Sequence, residues 1–153
     1  MNIQPARQQD LPEILAVQRA AFETEAQLVN DWNIPPLTQT LDELTNDWRK
    51  GIMLKAVNED GIIVGTVRGH NAPDGFYIGR LAVLPQWQGR GMGTALLEAI
   101  IAIAEACRLV LFTSTKSERN LRLYEKFGFT HFKKSTTATG VPLIWLEKSN
   151  SAL

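Results

Sequence analysis

Apolar and β-branched residues crowd into two short runs, 52–57 and 62–70, separated by Asn58-Glu59-Asp60-Gly61. That pattern predicts two antiparallel strands joined by a turn. Asn71-Ala72-Pro73-Asp74-Gly75 turns the chain again and residues 76–84 supply a third strand, so the middle of the chain is a meander. On either side the apolar period lengthens to about 3.6, the period of a helix. Ile14, Leu15, Gln18, Ala21 and Phe22 share one side of a helix expected to reach about residue 22, opened by Asp10 as cap, Pro12 in the first turn and Glu13 as capping-box partner. Thr40 with Glu43 repeats the capping signal ahead of Leu41, Leu44 and Trp48, a second short helix closed near Gly51. Between the two, Asn33-Ile34-Pro35-Pro36 is too broken for regular structure, and its prolines prevent a continuous helix.

The second half repeats the alternation of elements. Leu96, Leu97, Ile100, Ile101 and Ala104 form the wide stripe of a helix lying on a sheet. Residues 109–113 are almost wholly apolar, as in a central strand buried on both faces. Ser117 is placed to cap a helix running through Phe127 and ended by Gly128, and 129–135 with 142–147 make a final strand pair around Thr139-Gly140. With a short strand at 3–6, the order is strand, two helices, three strands, helix, strand, helix, two strands. The expected fold is α+β: one domain over 1–148 with a mixed, mostly antiparallel twisted sheet flanked by helices, followed by a flexible tail at 149–153.

The junction between the third strand and its helix carries the chemistry. Gln88-Gly89-Arg90-Gly91-Met92-Gly93 is a glycine-rich turn running directly into a helix. Glycines there admit backbone conformations that side chains penalise, and the unpaired N–H groups of the helix start favour an anion such as a pyrophosphate. Arg90 adds a charge at the rim. A tight strand-to-helix connection would use the same glycines, so the turn alone does not decide. It is not a P-loop, because Thr94 and Ala95 follow Gly93 with no lysine. Nor is it a dinucleotide fingerprint, because the following strand ends without an acidic residue.

Composition narrows the partners. Among 153 residues, 16 Lys and Arg balance 16 Asp and Glu, so no net field draws in nucleic acid or an anionic membrane. The single cysteine, Cys107, excludes an intrachain disulfide and fits a reducing compartment, and His70 and His131 lie too far apart in sequence to suggest a metal site. With no charged start leading into an apolar run, a cytoplasmic location is expected.

A second motif, Asn120-Leu121-Arg122-Leu123-Tyr124-Glu125-Lys126-Phe127-Gly128-Phe129, completes a recognisable pair. The chain resembles the GNAT superfamily of acyl-CoA-dependent N-acetyltransferases. Gln88 to Gly93 resembles that family's Q/R-x-x-G-x-G/A pyrophosphate loop, preceded by the strand segment Arg80-Leu81-Ala82-Val83. The 120–129 segment resembles its Asn…Tyr-x-Lys-x-Gly-Phe stretch, with Tyr124 four residues after Asn120. The resemblance implies acetyl-CoA as co-substrate and no metal. It implies that Leu81, Ala82 and Val83 meet the pantetheine arm, with Leu81 and Val83 offering backbone groups. Gln88, Gly89, Arg90, Gly91, Met92, Gly93 and Thr94 would hold the pyrophosphate, Asn120 would contact the cofactor, and Tyr124 would act as general acid toward the departing thiolate. Packing on an amphipathic helix is the other reading of Tyr124.

The acceptor side is less determined. Many members of that family carry a glutamate on the strand before the loop, whereas this strand has Gly79 and Arg80 and no carboxylate between residues 76 and 84. Glu23, Glu25 and Asp31 are available as base or ammonium-binding groups, and Glu25 is assigned that place. Strand alternation sets Arg80 with Phe76, Ile78 and Ala82, opposite Tyr77, Leu81 and Val83, where Arg80 would bind a substrate carboxylate, pair with an acidic neighbour or cap the sheet. Trp32 is a candidate substrate contact, and Trp32 with Trp48 would either wall a pocket or pack as core or lid. The expected activity is transfer of an acetyl group to a primary amine by direct attack in a ternary complex. The acceptor is a small-molecule amine, amino acid or peptide, with no nucleic acid or membrane partner, and the protein is a monomer or homodimer. A non-catalytic acyl-CoA-binding or sensory module would use the same cradle.

Overall fold

In the computed structural model, which describes residues 2–106 and 108–150, the strands join in one sheet of order β1-β2-β3-β4-β5-β7-β6. They are β1 (Asn2–Pro5), β2 (Ile52–Val57), β3 (Ile63–Ala72), β4 (Gly75–Val83), β5 (Arg108–Ser114), β6 (Thr130–Thr136) and β7 (Pro142–Ser149). The first four form antiparallel neighbours, as do β5, β7 and β6; β4 and β5 alone run parallel. The helices are α1 (Leu11–Val29), α2 (Pro35–Thr38), α3 (Leu41–Lys50), α4 (Met92–Ile103) and α5 (Glu118–Lys126). This is the α+β architecture expected from the sequence, with one extra helical turn, because Pro35 and Pro36 preset the backbone at the start of a new turn while barring continuation from α1.

Strand alternation divides the core between the two faces of the sheet. Leu54 and Ala56 of β2 join Val64, Val67, Phe76 and Ile78 under Leu96, Leu97 and Ile100 of α4 and Tyr124 of α5. On the opposite face Met53 and Ile63 meet Leu11, Ile14, Leu15 and Val17 of α1 and Leu44 of α3. Each fully buried Leu or Ile contributes roughly 1.5–3 kcal/mol, so both faces hold the sheet. Close packing fixes one glycine: a Cβ at Gly69 would lie 2.3 Å from Cζ of Phe76.

Several local expectations change. Helix α1 runs seven residues past Phe22, because Ala26 is buried and Asn30, in the left-handed conformation at φ 53°, ends it. Asp10 does not cap α1 through its side chain. Its carboxylate instead accepts from the Arg7 backbone N–H (2.8 Å) and from Lys55 Nζ (2.7 Å), tying the helix start to β2. Thr40 and Glu43 do form their capping box. Ser117 makes no cap, having given its hydroxyl to Glu25. Phe112, expected inside, is 48% exposed and packs on Trp145 with ring centroids 4.7 Å apart, while Leu109, Val110 and Leu111 are buried as expected. The chain end stays folded further than a tail from residue 149 implies: Ser149 pairs with Arg108, and Asn150 donates to the carbonyls of Ala104 and Ala106. Cys107 and the last three residues, 151–153, lie outside the described residues.

Two irregularities of β4 shape the surface beside it. Gly79 pairs with Arg68 and Ala82 with Thr66, so Arg80 and Leu81 together oppose the single residue Val67. Arg80, at φ 52°, is the inserted residue of a β-bulge. The bulge corrects the expected alternation: Leu81 and Val83 end on the core face of Phe76 and Ile78 rather than opposite it. In addition, β4 pairs with β5 only at Phe76↔Leu109 and Tyr77↔Val110, whereas β5 stays paired with β7 along its whole length. Beyond Tyr77 the two strands part, and the edge of β4 that faces β5 has no strand partner.

Candidate active site

A cavity of about 620 Å³ opens where β4 and β5 part, walled by α1, the end of β4, the glycine turn and α5. It brings together Leu81, Ala82, Val83, Gln88, Gly89, Gly91, Met92, Gly93, Thr94 and Asn120, with Glu25 on the α1 wall. These residues come from three separate parts of the chain and meet because α4 and α5 lie on the same face of the sheet.

The glycine turn is conformationally specialised. Gly89 and Gly91 sit at φ +78° and +80°, and a Cβ at either would meet nothing within 4 Å, so backbone conformation and not packing requires glycine there. Gly91 is the N-cap of α4, and Ala95 N–H is bonded to its carbonyl at 3.0 Å. The N–H groups of Met92, Gly93 and Thr94 precede the first intrahelical bond and front the cavity with partial positive charge. Gln88 braces the turn, donating to the Val83 carbonyl (3.1 Å) and accepting from Arg119 Nη1 (2.6 Å). An extended chain ending in a pyrophosphate fits this arrangement, with the free edge of β4 along its length and the turn at its charged end. Arg90 stands apart from the cavity, with its guanidinium over the Trp87 ring at 4.7 Å from the centroid.

Tyr124 and Glu25 form a second group. Tyr124 is 6% exposed, sits edge-on to Phe129 and is not among the lining residues; since no fully buried side-chain N or O among the described residues lacks a partner, its unbonded hydroxyl keeps some exposed surface. Burial, and secondarily the charge of Glu25, raise its phenol well above the ordinary range, so it is protonated at neutral pH. Glu25 accepts from Ser117 Oγ at 2.8 Å, a bond joining α1 to the start of α5 across the cavity. Asn120 donates weakly to Thr113 Oγ1 (3.4 Å), which turns it toward the end of β5.

Comparison with known proteins identifies the family. The Acetyltransferase (GNAT) family model matches residues 12–129, most of the chain. The chain belongs to the GNAT acetyltransferase family. Among solved structures it is similar to an N-acetyltransferase from Staphylococcus aureus Mu50, at 21% identity over 98% of each chain with a TM-score of 0.78. It is similar to the ribosomal-protein-S18-alanine N-acetyltransferase of Escherichia coli, at 19% identity over 98% of this chain and 94% of that one with a TM-score of 0.79. A third likeness is to PaiA N-acetyltransferase from Thermoplasma acidophilum in complex with coenzyme A, at 17% identity over 97% of this chain and 99% of that one with a TM-score of 0.76. At such identities these three likenesses establish the fold.

Within this GNAT chain the remaining candidates scatter. Glu23 is exposed and away from the cavity, and Asp31 is taken up by Thr139 Oγ1 and the Asn33 N–H, which hold its carboxyl below the usual range. Trp32 is 55% exposed and lines no part of the cavity. Trp48 packs on the smaller core cluster and donates to the Ala6 carbonyl at 2.9 Å. Arg80 faces α1 and the α2–α3 connection, bonded to Gln39 at 3.3 Å. Sequence reasoning missed Ser117, Arg119, Arg122 and Lys126, all of which line the cavity. The i, i+3, i+7 spacing of the last three was the available signal, a basic stripe along the helix that carries the second motif. Among the described residues no helix is long and apolar enough to cross a membrane.

Proposed function

We propose that the protein is an N-acetyltransferase that transfers the acetyl group of acetyl-CoA to a primary amine by direct attack in a ternary complex. The observation that carries this reading is the continuity of the cavity: the unpaired edge of β4 leads directly into the turn whose Gly89 and Gly91 are held at positive φ before α4. Acetyl-CoA supplies the activated thioester carbonyl. The backbone of Leu81 and Val83 would pair with the pantetheine arm, and the N–H groups of residues 91–94 would hold the pyrophosphate. Asn120 and the basic stripe of α5 border the same cavity.

Tyr124, one residue after Leu123 on the helix that walls the cavity although its own ring is not part of the lining, would serve as general acid. Burial and the Glu25 charge keep the phenol protonated at neutral pH, and the incoming ammonium, by offsetting that charge, would bring its acidity back toward that of a thiol. Glu25 is positioned by Ser117 to attract the incoming ammonium group and to accept its proton, so that a neutral amine attacks. Once Glu25 has passed that first proton to solvent, the nitrogen–carbon bond forms and the carbon–sulfur bond breaks; the second amine proton leaves toward Glu25, the Tyr124 proton goes to sulfur, and proton transfer from Glu25 to the Tyr124 phenolate restores both groups. Trp32 has no place in this scheme.

The test is an acetyl-CoA turnover screen over amines, amino acids and peptides, followed by Tyr124→Phe on the best acceptor. We expect kcat to fall about 100-fold, the usual contribution of one general acid, with the acetyl-CoA thermal shift preserved. Tight acetyl-CoA binding with no turnover of any acceptor would favour an acyl-CoA-binding or sensory module. Unchanged turnover in Tyr124→Phe would remove Tyr124 from the acid role.

A further inference from the structure

On the α1 face of the sheet, beside the end of β4, lies a charge arrangement that the acetyl-transfer scheme does not use. Arg68 Nη1 donates to Gln18 Oε1 (3.0 Å), and its Nη2 donates to Gln39 Oε1 (3.0 Å) and meets Asp47 Oδ2 (3.1 Å). Arg80 makes a single hydrogen bond among the described residues, from Nη1 to the same Gln39 Oε1 at 3.3 Å. Gln18 Nε2 also donates to that oxygen at 3.1 Å. One amide oxygen therefore receives three donors, and two half-buried guanidiniums face one carboxylate, Asp47, which is 43% exposed and already bonded by Gln39 Nε2 at 2.7 Å. Glu43, exposed on α3, adds only a distant attraction to Arg80. A guanidinium has five N–H donors, so the cluster is rich in donors and positive charge and short of acceptors. Burial, with Arg80 as the second cause, draws Arg68 down to about 10, another sign that the two cations lack a full counter-charge.

Room lies beside the surplus. Gly79 is the direct cross-strand partner of Arg68 and the chain neighbour of Arg80, and a Cβ built on it would meet nothing within 4 Å. Its φ is not positive, so neither packing nor backbone conformation explains glycine at this position. The bulge at Arg80 is what turns that side chain onto the Arg68 face; regular alternation would have driven it into the core with Phe76 and Ile78. The gap adjoins the cavity, since Leu81 follows Arg80 and lines it, and Gln18 lies one turn of α1 before Ala21 and Phe22, which also line it.

Resting on the acetyltransferase reading, we propose that Arg80 and Arg68, with the space over Gly79, bind a carboxylate of the acceptor, so that the acceptor is an amino acid or a peptide with a free carboxyl group and not a polyamine or amino sugar. A carboxylate accepts two parallel bonds from a guanidinium fork and supplies the acceptors the cluster lacks. Gly79 leaves the volume such a group needs. Arg80 is thus a specificity-determining residue, and Arg68 positions it through the shared Gln39.

The experiment compares amino acids and short peptides with their carboxamides as acceptors, beside polyamine and amino-sugar controls, in the wild type, Arg80→Asn and Gly79→Asp. Asparagine tolerates positive φ, and Gly79 has space for a side chain, so both variants should fold; an unchanged acetyl-CoA thermal shift confirms it. We expect kcat/KM for acids to exceed that for amides about thirtyfold in the wild type, the scale of one charged hydrogen-bonded pair. In both variants the ratio should fall to about threefold, mainly through KM, as a lost binding contact requires. The same pairs are titrated into CoA-loaded protein by calorimetry, so that an acid-over-amide preference in binding decides the point where turnover is slow. Equal use of acids and amides, survival of the ratio in both variants, or acetylation of only the polyamine or amino-sugar controls would overturn the inference and leave the acetyltransferase reading standing. Absence of both turnover and acetyl-CoA binding would overturn the two together.

Discussion

The two sides of the bulge at Arg80 are built from different materials. Towards the glycine turn, the cradle is backbone: N–H groups at the start of α4, a free strand edge, and two glycines at positive φ. Towards α1, the site is side chain: Gln18, Gln39, Asp47, Arg68 and Arg80, drawn from α1, the α2–α3 connection, α3, β3 and β4. A backbone cradle suits a ligand that never changes, because its donors are fixed by fold alone. A side-chain cluster can be rewritten one residue at a time, which would suit a side that sets acceptor choice.

The sharpest way to break this contrast is at Gly91. A valine there would have to adopt φ +80° and would carry its branched side chain into the cradle. We expect acetyl-CoA affinity to fall roughly thirtyfold or more, equivalent to ~2 kcal/mol of left-handed strain and lost contact. Calorimetry of Gly91→Val against wild type measures it. Unchanged affinity would mean that the positive-φ turn is a connection and not a binding element.

The complementary change is Gln39→Ala. It removes the oxygen shared by Gln18, Arg68 and Arg80 and the amide that holds Asp47; Gln18 keeps the Pro36 carbonyl and Arg68 keeps Gln18 and Asp47, so the half-buried Arg80 is the donor left without a partner among the described residues. The expected cost is about 1.5 kcal/mol of folding stability, within the range for one unsatisfied polar group, with acetyl-CoA affinity unchanged. Urea denaturation and calorimetry on the same preparation separate the two. A large loss of acetyl-CoA affinity would show that the two sides are one coupled unit.

The same contrast explains what could be read from the chain. The cradle is contiguous, residues 81–94 with a second motif nearby, and every part of it follows from local chemistry: glycine at positive φ, a helix start, an apolar strand leading in. The acceptor-side cluster joins Gln18 to Arg68 and Arg80 across about half a hundred residues, and no local period marks Gln18 or Gln39 as polar groups turned inward. The bulge is hidden for a related reason. A single inserted residue reverses the side of every position after it, and Arg80 carries no turn-forming chemistry that would announce a left-handed backbone. Ser117 misleads because a cap and a side-chain bond use the same hydroxyl, and only the approach of α1 to the start of α5 brings Glu25 to it. The full length of α1 is illegible because after Phe22 its buried contact narrows to Ala26, too small to mark a stripe.

The smallest effect discriminates most finely. Gln88 belongs to the cradle by motif and lines the cavity, yet among the described residues its amide bonds only to the Val83 carbonyl and to Arg119, so on this view it braces the backbone and is not itself the binding group. Gln88→Ala should therefore weaken acetyl-CoA binding only about threefold, the ~0.6 kcal/mol of one partly exposed hydrogen bond. Removing its carboxamide also frees Arg119, whose guanidinium would then reach further into the cavity and offset part of the loss. Double substitution with Arg119→Ala tests that compensation, since coupled neighbours should depart from additivity. If Gln88→Ala alone costs as much as Gly91→Val, side chains build the donor side as well, and the division at the Arg80 bulge does not hold.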